Sequence, residues 1–250
     1  MIYSKEHKYL FIETPHTGSS ALSAELVAQY SGQSVLTKHA NYWDFKREYG
    51  SAVRDLIVFA TVRHPLQEVL SLFHKYLSNH KGNYTNEQLW MENGGWISKK
   101  KRDMYRFVQE TRDFEAFVLR YYRRPFTSSI SINHPHCDCV LRFENLEQDF
   151  ANVLTTIGLD KVRTLPVVNQ TEYSTLGLNH GLECLGTKAI KPFLPFMREW
   201  GYEACDVEVT EAGWKEDMGY KLAKSLRLLH ALTINRMNSP VAMLTRARWE

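Results

Sequence analysis

The sequence predicts an α/β fold, a three-layer sandwich in which helices wrap a central, mainly parallel sheet. From Tyr9 to Leu22, an apolar strand runs through a small-residue turn directly into a helix. From Asp55 to Val62, a near-continuous apolar run has the character of a strand buried on both faces of a parallel sheet. The C-terminal half is rich in helical patterns, and no linker-like stretch divides the 250 residues, so we expect one domain over 1–250.

The first informative element is the turn after the first strand, Thr14-Pro15-His16-Thr17-Gly18-Ser19-Ser20. Backbone amides around Gly18, Ser19 and Ser20 are suited to face an anion at the positive end of the following helix. The two serine hydroxyls add directed contacts. An ordinary turn in which a serine caps the helix has the same sequence features. The segment predicts a phosphate cradle, with simple capping as the alternative.

The second element follows the next predicted strand and begins with Arg63. Pro65 suits a first helical turn, and apolar residues at helical spacing follow it, with Ser71 off the apolar stripe. A rise of about 1.5 Å per residue leaves Arg63 and Ser71 on the order of 12 Å apart, so a guanidinium and a hydroxyl can grip one phosphate between them. Taken alone, such residues are more often ordinary surface positions.

Together the two elements resemble the sulfotransferases that use 3′-phosphoadenosine 5′-phosphosulfate. In that family a loop of the form Pro-Lys-Thr-Gly-x-[Ser/Thr] holds the 5′-phosphosulfate, and a later strand ends in Arg, with a Ser eight residues on, for the 3′-phosphate. Here the loop reads Pro15-His16-Thr17-Gly18-Ser19-Ser20, and Arg63 and Ser71 have the same offset. Val140-Leu141-Arg142-Phe143-Glu144-Asn145-Leu146 is similar to the family's late strand and helix entry. The resemblance covers roughly residues 8 to 172.

The resemblance implies the P-loop-NTPase-like sulfotransferase fold and transfer of a sulfonate group to an acceptor hydroxyl or amine, with no metal. The acceptor is expected to be a small molecule, a lipid or a glycan. The residues implied in donor binding are His16, Thr17, Gly18, Ser19, Ser20, Arg63 and Ser71. Tyr173 and Lys188 are weaker candidates for contact with the adenine.

One departure from the family bears on the chemistry, because His16 replaces the loop lysine. In the family that lysine stabilises the charge left on the departing phosphate. An imidazolium supplies a donor and a charge only while protonated, a free His titrates near about 6.5, and adjacent phosphates raise that value. We therefore expect His16 to assist the leaving group and activity to fade at alkaline pH. A merely polar loop residue is the alternative.

Sulfonate transfer also requires a base for the acceptor proton. His39 is the first candidate, because it follows Ser34-Val35-Leu36, the predicted second strand, and a strand end is the right position in an α/β crevice. The resemblance supports this choice, since several carbohydrate sulfotransferases carry a catalytic His or Glu after this strand. Glu13, which ends the first strand beside the loop, is the rival base. Lys38 is expected to support anions rather than to accept a proton.

The composition of the chain limits its partners and its location. The net charge of +3 gives no argument for a nucleic-acid partner. No uncharged apolar run approaches the roughly 20 residues that span a bilayer, and the first residues lack a signal-peptide core, so we expect a cytoplasmic protein.

The segment from His134 to Cys139 contains four soft-metal ligands in six residues, but a tetrahedral site from so short a run would strain the backbone. We expect these residues to lead into a strand, with the cysteines packed as small apolar groups.

The remaining pattern is mostly helical. Tyr84 to Lys101 is predicted to be an excursion, either an acceptor-facing segment or a solvated basic turn. The predicted helices that follow run from about Asp103 to Tyr122, from Glu144 to Ile157, from Thr187 to Glu199 with breaks at Pro192 and Pro195, and from Glu216 to Met237.

Two other functions stay open. A nucleotide-kinase-like phosphotransferase lacks its Gly-x4-Gly-Lys-[Ser/Thr] signature here. A catalytically inactive adenosine-bisphosphate-binding protein is the other alternative, and the replacement at His16 is the feature that favours it.

Overall fold

The structure, a computed structural model, describes residues 1–168, 185–203 and 213–233, and the chain divides into two compact units. The first unit comprises Met1–Arg63, Thr127–Gln170 and Arg227–Leu232. The second comprises His64–Phe126, Thr171–Leu226 and Thr233–Glu250. The described helices are α1 (Ser19–Gln29), α2 (Tyr42–Tyr49), α3 (Pro65–Leu77), α4 (Lys99–Thr111), α5 (Phe114–Tyr121), α6 (Ile130–Asn133), α7 (Leu146–Thr156), α8 (Thr187–Ile190), α9 (Leu194–Trp200) and α10 (Trp214–Thr233).

In the described part of the chain, a five-stranded sheet forms the centre of the first unit. Its strands are β1 (Ile2–Ser4), β2 (Tyr9–Ile12), β3 (Gln33–Ser34), β4 (Ile57–Val62) and β5 (Cys139–Arg142), in the order β3-β1-β2-β4-β5. The neighbours β2, β4 and β5 are parallel, whereas β1 pairs antiparallel with β2 and with β3. The chain is therefore α/β, with a mixed, mostly parallel sheet, as the apolar runs predict.

Helices pack on both faces of this sheet. On one face, Phe11 stacks on Phe59 with ring centroids 5.1 Å apart, and both are fully buried. Leu22 of α1 and Phe150 of α7 belong to the same buried cluster. On the other face, the ring of Tyr3 lies 5.4 Å from that of Phe45 in α2. Successive strand residues point to opposite faces, and Tyr3 pairs with Leu10 rather than with Phe11, so α1 and α7 lie on one face and α2 on the other.

The second unit is helical and rich in aromatic contacts. Phe73 of α3 packs against Phe117 of α5 with ring centroids 5.5 Å apart, and Gln109 of α4 donates a hydrogen bond of 2.8 Å to the carbonyl oxygen of Tyr76. The ring centroids of Phe126 and Phe193 are 5.1 Å apart. The apolar stripe that the sequence predicts for the helix beginning at Pro65 is buried, with Phe73 and Tyr76 among its buried residues.

Several predicted boundaries need correction. The predicted helix over 103–122 is two helices, because Arg112 adopts a left-handed backbone (φ 50°) and Asp113 caps α5 by accepting from the amide of Ala116. The strand β1 was not predicted, and β3 is only two residues long. The expected break at Pro192 is confirmed, since a 3₁₀ turn at Lys191–Phe193 separates α8 from α9. The expected break at Pro195 is wrong, because Pro195 lies in the first turn of α9, where proline is tolerated.

The predicted excursion contains short turns. Within Tyr84 to Lys101, 3₁₀ turns occupy Glu87–Leu89 and Met91–Asn93, and the basic run begins α4.

In the ranges that the structure describes, no helix combines the length and the apolar character needed to cross a bilayer.

Candidate functional site

The loop between β2 and α1 has a shape that only glycine allows at position 18. Gly18 has φ 76°, in the left-handed region that side chains disfavour. A Cβ there would lie 2.9 Å from Cδ2 of Leu146 and 3.0 Å from Cδ2 of Phe143. At Gly18, the residue before α1, the chain therefore packs closely against the residues that follow β5.

Replacing Gly18 with alanine should lower the free energy of unfolding by about 1–3 kcal/mol, because backbone strain and a steric clash act together. Gly158→Ala is a matched control, since Gly158 has the same φ of 76° but open space around its Cα. Chemical denaturation of both variants separates the two effects. Equal losses in the two variants would mean that Leu146 and Phe143 move aside without cost.

Hydroxyl groups fix this loop to the sheet. Thr17 Oγ1 donates to the carbonyl oxygen of Thr14 at 2.8 Å and is also hydrogen-bonded to Oγ1 of Thr61 in β4. Ser19 is buried, whereas Ser20 is half-buried and its Oγ accepts a hydrogen bond of 2.9 Å from Nζ of Lys38. Of these three side chains, the hydroxyl of Ser20 is the one placed beside a cation.

Arg63 joins the two predicted phosphate elements. It follows β4, and its Nη1 donates to the carbonyl oxygen of His16 at 3.2 Å. Its Cζ lies 4.0 Å from the centroid of the Phe143 ring, the ring that also borders Gly18. The loop after β2 and the residue after β4 thus meet at the carboxyl ends of adjacent parallel strands, where α/β proteins hold their ligands.

His16 holds an uncommon backbone conformation in this loop. Its φ is 63°, in the left-handed region, where a residue other than glycine carries a conformational cost. This conformation accompanies the contact between the His16 carbonyl and Arg63. Strained residues cluster at functional sites, which makes this loop a candidate site.

The imidazole of His39 is oriented by the backbone of Glu13. Nδ1 of His39 lies 3.0 Å from the carbonyl oxygen of Glu13, and a carbonyl can only accept, so Nδ1 carries the hydrogen. In the neutral ring, Nε2 then has the lone pair. Desolvation lowers the pKa of His39 below its ordinary value. A neutral imidazole with an unprotonated Nε2 is the form that a general base requires.

The carboxylate of Glu13 is differently placed. It is 4% exposed, and its Oε1 accepts a hydrogen bond of 2.7 Å from Ser23 Oγ in α1. Its Oε2 accepts from the Met1 amine, also at 2.7 Å. Each oxygen therefore already has a donor.

Other predicted site residues lie elsewhere in the chain. Ser71 is half-buried in α3, which belongs to the second unit. Lys188 is exposed on α8 of the same unit. Tyr173 falls outside the described residues.

The segment from His134 to Cys139 has structural contacts. His136 stacks on Tyr42 with ring centroids 4.1 Å apart, and Cys137 Sγ donates to the carbonyl oxygen of Asn133. Burial raises the pKa of Cys137 to about 12, so its thiol stays protonated near neutral pH. Within residues 1–168, 185–203 and 213–233, no three or more His, Cys, Asp or Glu side chains are grouped as metal ligands.

No match to this chain was found among protein families, curated proteins or solved structures. The structure places one further residue in the site, Phe143, which contacts both Gly18 and Arg63 and had no assigned role from the sequence. Its position directly after β5, in the segment resembling the family's late strand, was the available signal.

Proposed function

We propose that this chain is a sulfotransferase that moves a sulfonate group from 3′-phosphoadenosine 5′-phosphosulfate to an acceptor hydroxyl or amine. The observation that carries the proposal is the hydrogen bond from Arg63 to the carbonyl of His16. It supports one anion-binding surface made from two loops, each at the carboxyl end of a parallel strand.

In this proposal the loop amides around Gly18 and the hydroxyl of Ser20 bind the 5′ end of the donor, with His16, Thr17 and Ser19 in the same loop. Arg63 binds the 3′-phosphate, and the assignment of Ser71 to the same phosphate stays a prediction from the sequence. A guanidinium suits this role, because its fork of N–H groups matches phosphate oxygens and it stays charged at every working pH. The P-loop-NTPase-like sulfotransferase fold, with its three layers, is part of the same proposal.

The acceptor oxygen or nitrogen attacks sulfur in line with the bond to the 5′-phosphate. As the S–O bond breaks, its electron pair stays on the phosphate oxygen, and the acceptor proton moves to Nε2 of His39. The hydrogen bond from Nδ1 of His39 to Glu13 supports this assignment, since it fixes the tautomer in which Nε2 accepts. The product nucleotide is adenosine 3′,5′-bisphosphate.

Lys38 supplies a cation where the family's loop lysine is missing. Its Nζ is 2.9 Å from Ser20 Oγ, at the start of α1. Charge developing on the departing phosphate is stabilised by donors already in position, and this term is among the largest in catalysis. We therefore assign to Lys38 and His16 together the role that one lysine has in the family.

Replacing Lys38 with methionine is expected to lower kcat by about 100-fold, the loss typical when one donor to a developing charge is removed. Affinity for adenosine 3′,5′-bisphosphate should fall much less. Lys5→Met is the control, because Lys5 is an exposed lysine in the turn between β1 and β2. Radiolabelled donor measures turnover, and calorimetry measures affinity. Wild-type kcat in the Lys38 variant would remove it from the mechanism.

His16→Lys should extend activity to alkaline pH. An imidazolium loses its proton as the pH rises through its pKa, whereas a lysine in the same place stays charged to about pH 10. The measurement is kcat against pH for both proteins. An inactive lysine variant, or the same alkaline limb in both, would show that His16 does not assist the leaving group.

Calorimetry tests the proposal as a whole. Adenosine 3′,5′-bisphosphate is titrated without magnesium, and ATP is titrated with and without magnesium. Binding of the bisphosphate without magnesium supports the proposal, whereas preference for magnesium-ATP indicates a phosphotransferase. Turnover of labelled donor against small alcohols, lipids and glycans then distinguishes an enzyme from an inactive bisphosphate-binding protein. A cytoplasmic location and the acceptor class stay predictions from the sequence.

A further inference from the structure

The second unit contains a cavity of about 720 Å³ whose lining includes none of the residues assigned above to donor binding or to the leaving group. Lys188, the weaker sequence candidate for contact with the adenine, is one of its lining residues. Its lining combines buried or half-buried apolar side chains, here called the floor, with exposed basic side chains, here called the rim. The floor is formed by Leu119, Tyr122, Pro125, Ala189 and Pro192. A cavity of this volume is in the range that holds a drug-sized molecule.

A backbone hydrogen bond, a ring contact and close packing hold the walls of this cavity in place. The amide of Phe126 donates to the carbonyl oxygen of Pro192 at 2.9 Å. The ring centroids of Tyr122 and Phe193 are 5.6 Å apart, which continues the floor into the aromatic core of the unit. At Gly219 of α10 an added Cβ would lie 3.1 Å from Cγ of Pro125, so these two walls are in close contact. The cavity is therefore preformed rather than opened by a ligand.

The rim has four cations, and among the described residues one of them has an acidic partner. Lys191 pairs with Glu216 at 2.9 Å. Arg123, Lys188 and Lys215 also line the cavity, and in the part of the chain that the structure describes they form no ion pair. Three positive charges around a cavity with low-dielectric walls concentrate a field that attracts anions.

We propose that this cavity binds a small amphipathic anion, with an apolar body on the floor and a carboxylate, sulfate or phosphate at the rim. Each half of the lining recognises one half of such a molecule. A purely polar anion leaves the apolar floor uncovered, and a neutral hydrocarbon leaves the three cations without a counterion. The proposal is independent of the sulfotransferase assignment.

A matched pair of fluorescent probes tests both halves. 8-Anilinonaphthalene-1-sulfonate carries an apolar body and a sulfonate, and N-phenyl-1-naphthylamine has the same rings without the charge. The full chain should bind the sulfonate probe at one saturable site, at least tenfold more tightly than the neutral probe. Raising the salt concentration should weaken the sulfonate probe only, because screening acts on the charge.

Charge-reversal variants locate the binding. Lys188→Glu and Lys215→Glu should each weaken the sulfonate probe by at least fivefold and leave the neutral probe within twofold. Lys221→Glu is the control, since Lys221 is exposed on the same helix as Lys215 but does not line the cavity. Circular dichroism confirms that each variant is folded, and a variant that is not is replaced by Lys188→Gln or Lys215→Gln.

Three outcomes would overturn the proposal. They are an equal effect of all three reversals, no effect of the two rim reversals, and displacement of the probe by excess adenosine 3′,5′-bisphosphate from the unmodified chain but not from Arg63→Ala, which would place the probe in the nucleotide site. Failure of the bisphosphate to bind at all leaves the probe result valid, so this proposal and the proposed function fail separately.

Discussion

Arg63→Ala is expected to weaken binding of adenosine 3′,5′-bisphosphate by about 100-fold or more, equivalent to about 2.8 kcal/mol. Arg63 is 8% exposed, and removing a nearly buried charged donor leaves a phosphate charge without its partner. The same change also releases the carbonyl of His16 and the face of Phe143, so the loop loses its position as well as the charge. Calorimetry on the folded variant measures the loss.

Two variants separate these effects of Arg63. Arg63→Lys keeps the charge but loses the fork, and intermediate affinity is expected. Arg54→Ala is the matched control, because Arg54 is an exposed arginine that precedes the same strand at its opposite end. Unchanged affinity in Arg63→Ala would refute the role of Arg63 and, with it, the observation on which the proposed function rests.

His39→Asn should reduce kcat by 10²- to 10⁴-fold, the range for loss of a general base. Asparagine retains a donor for the carbonyl of Glu13, so the loop should keep its shape and bisphosphate affinity should change by less than about twofold. His7→Asn is the control, since His7 lies in the turn between β1 and β2. Substantial activity in the His39 variant would transfer the role of base to another group, with Glu13 as the next candidate.

The pH dependence of kcat provides a second test of His39. A general base acts when unprotonated, so activity rises with pH through its pKa and is lost below it. Because desolvation lowers the pKa of His39, the acid limb should lie below the ordinary value of about 6.5. The residual activity of His39→Asn should lack this limb. An acid limb that survives in that variant would belong to a different group.

Sequence patterns predicted the elements that are defined by local signals. The apolar run ending at Val62, followed by Pro65, specified both β4 and the start of α3. The break at Asp113 was missed because the apolar stripe continues on either side, although an Asp before a helical run is a capping signal. The strand β1 has only three residues and exists through pairing with β2 and β3, which no local pattern reveals.

The candidate site was predictable to the level of which loops carry it. Residues such as Ser20 and Arg63 follow strands whose ends meet in a parallel sheet, so their loops are neighbours by topology. The contact from Lys38 to Ser20 and the platform of Phe143 beneath Arg63 depend on how separate loops pack. The tautomer of His39 likewise depends on a carbonyl 26 residues away. Sequence patterns do not predict such contacts, because they form between loops that are distant along the chain.

The two edge strands of the sheet affect whether the protein aggregates at the concentrations that assays need. The strand β3, at one edge, has only Gln33 and Ser34, which are both exposed and polar. The other edge strand, β5, has four residues and ends in Arg142. Short edges with polar or charged side chains offer little template for another chain to add to, and this disfavours aggregation by strand addition.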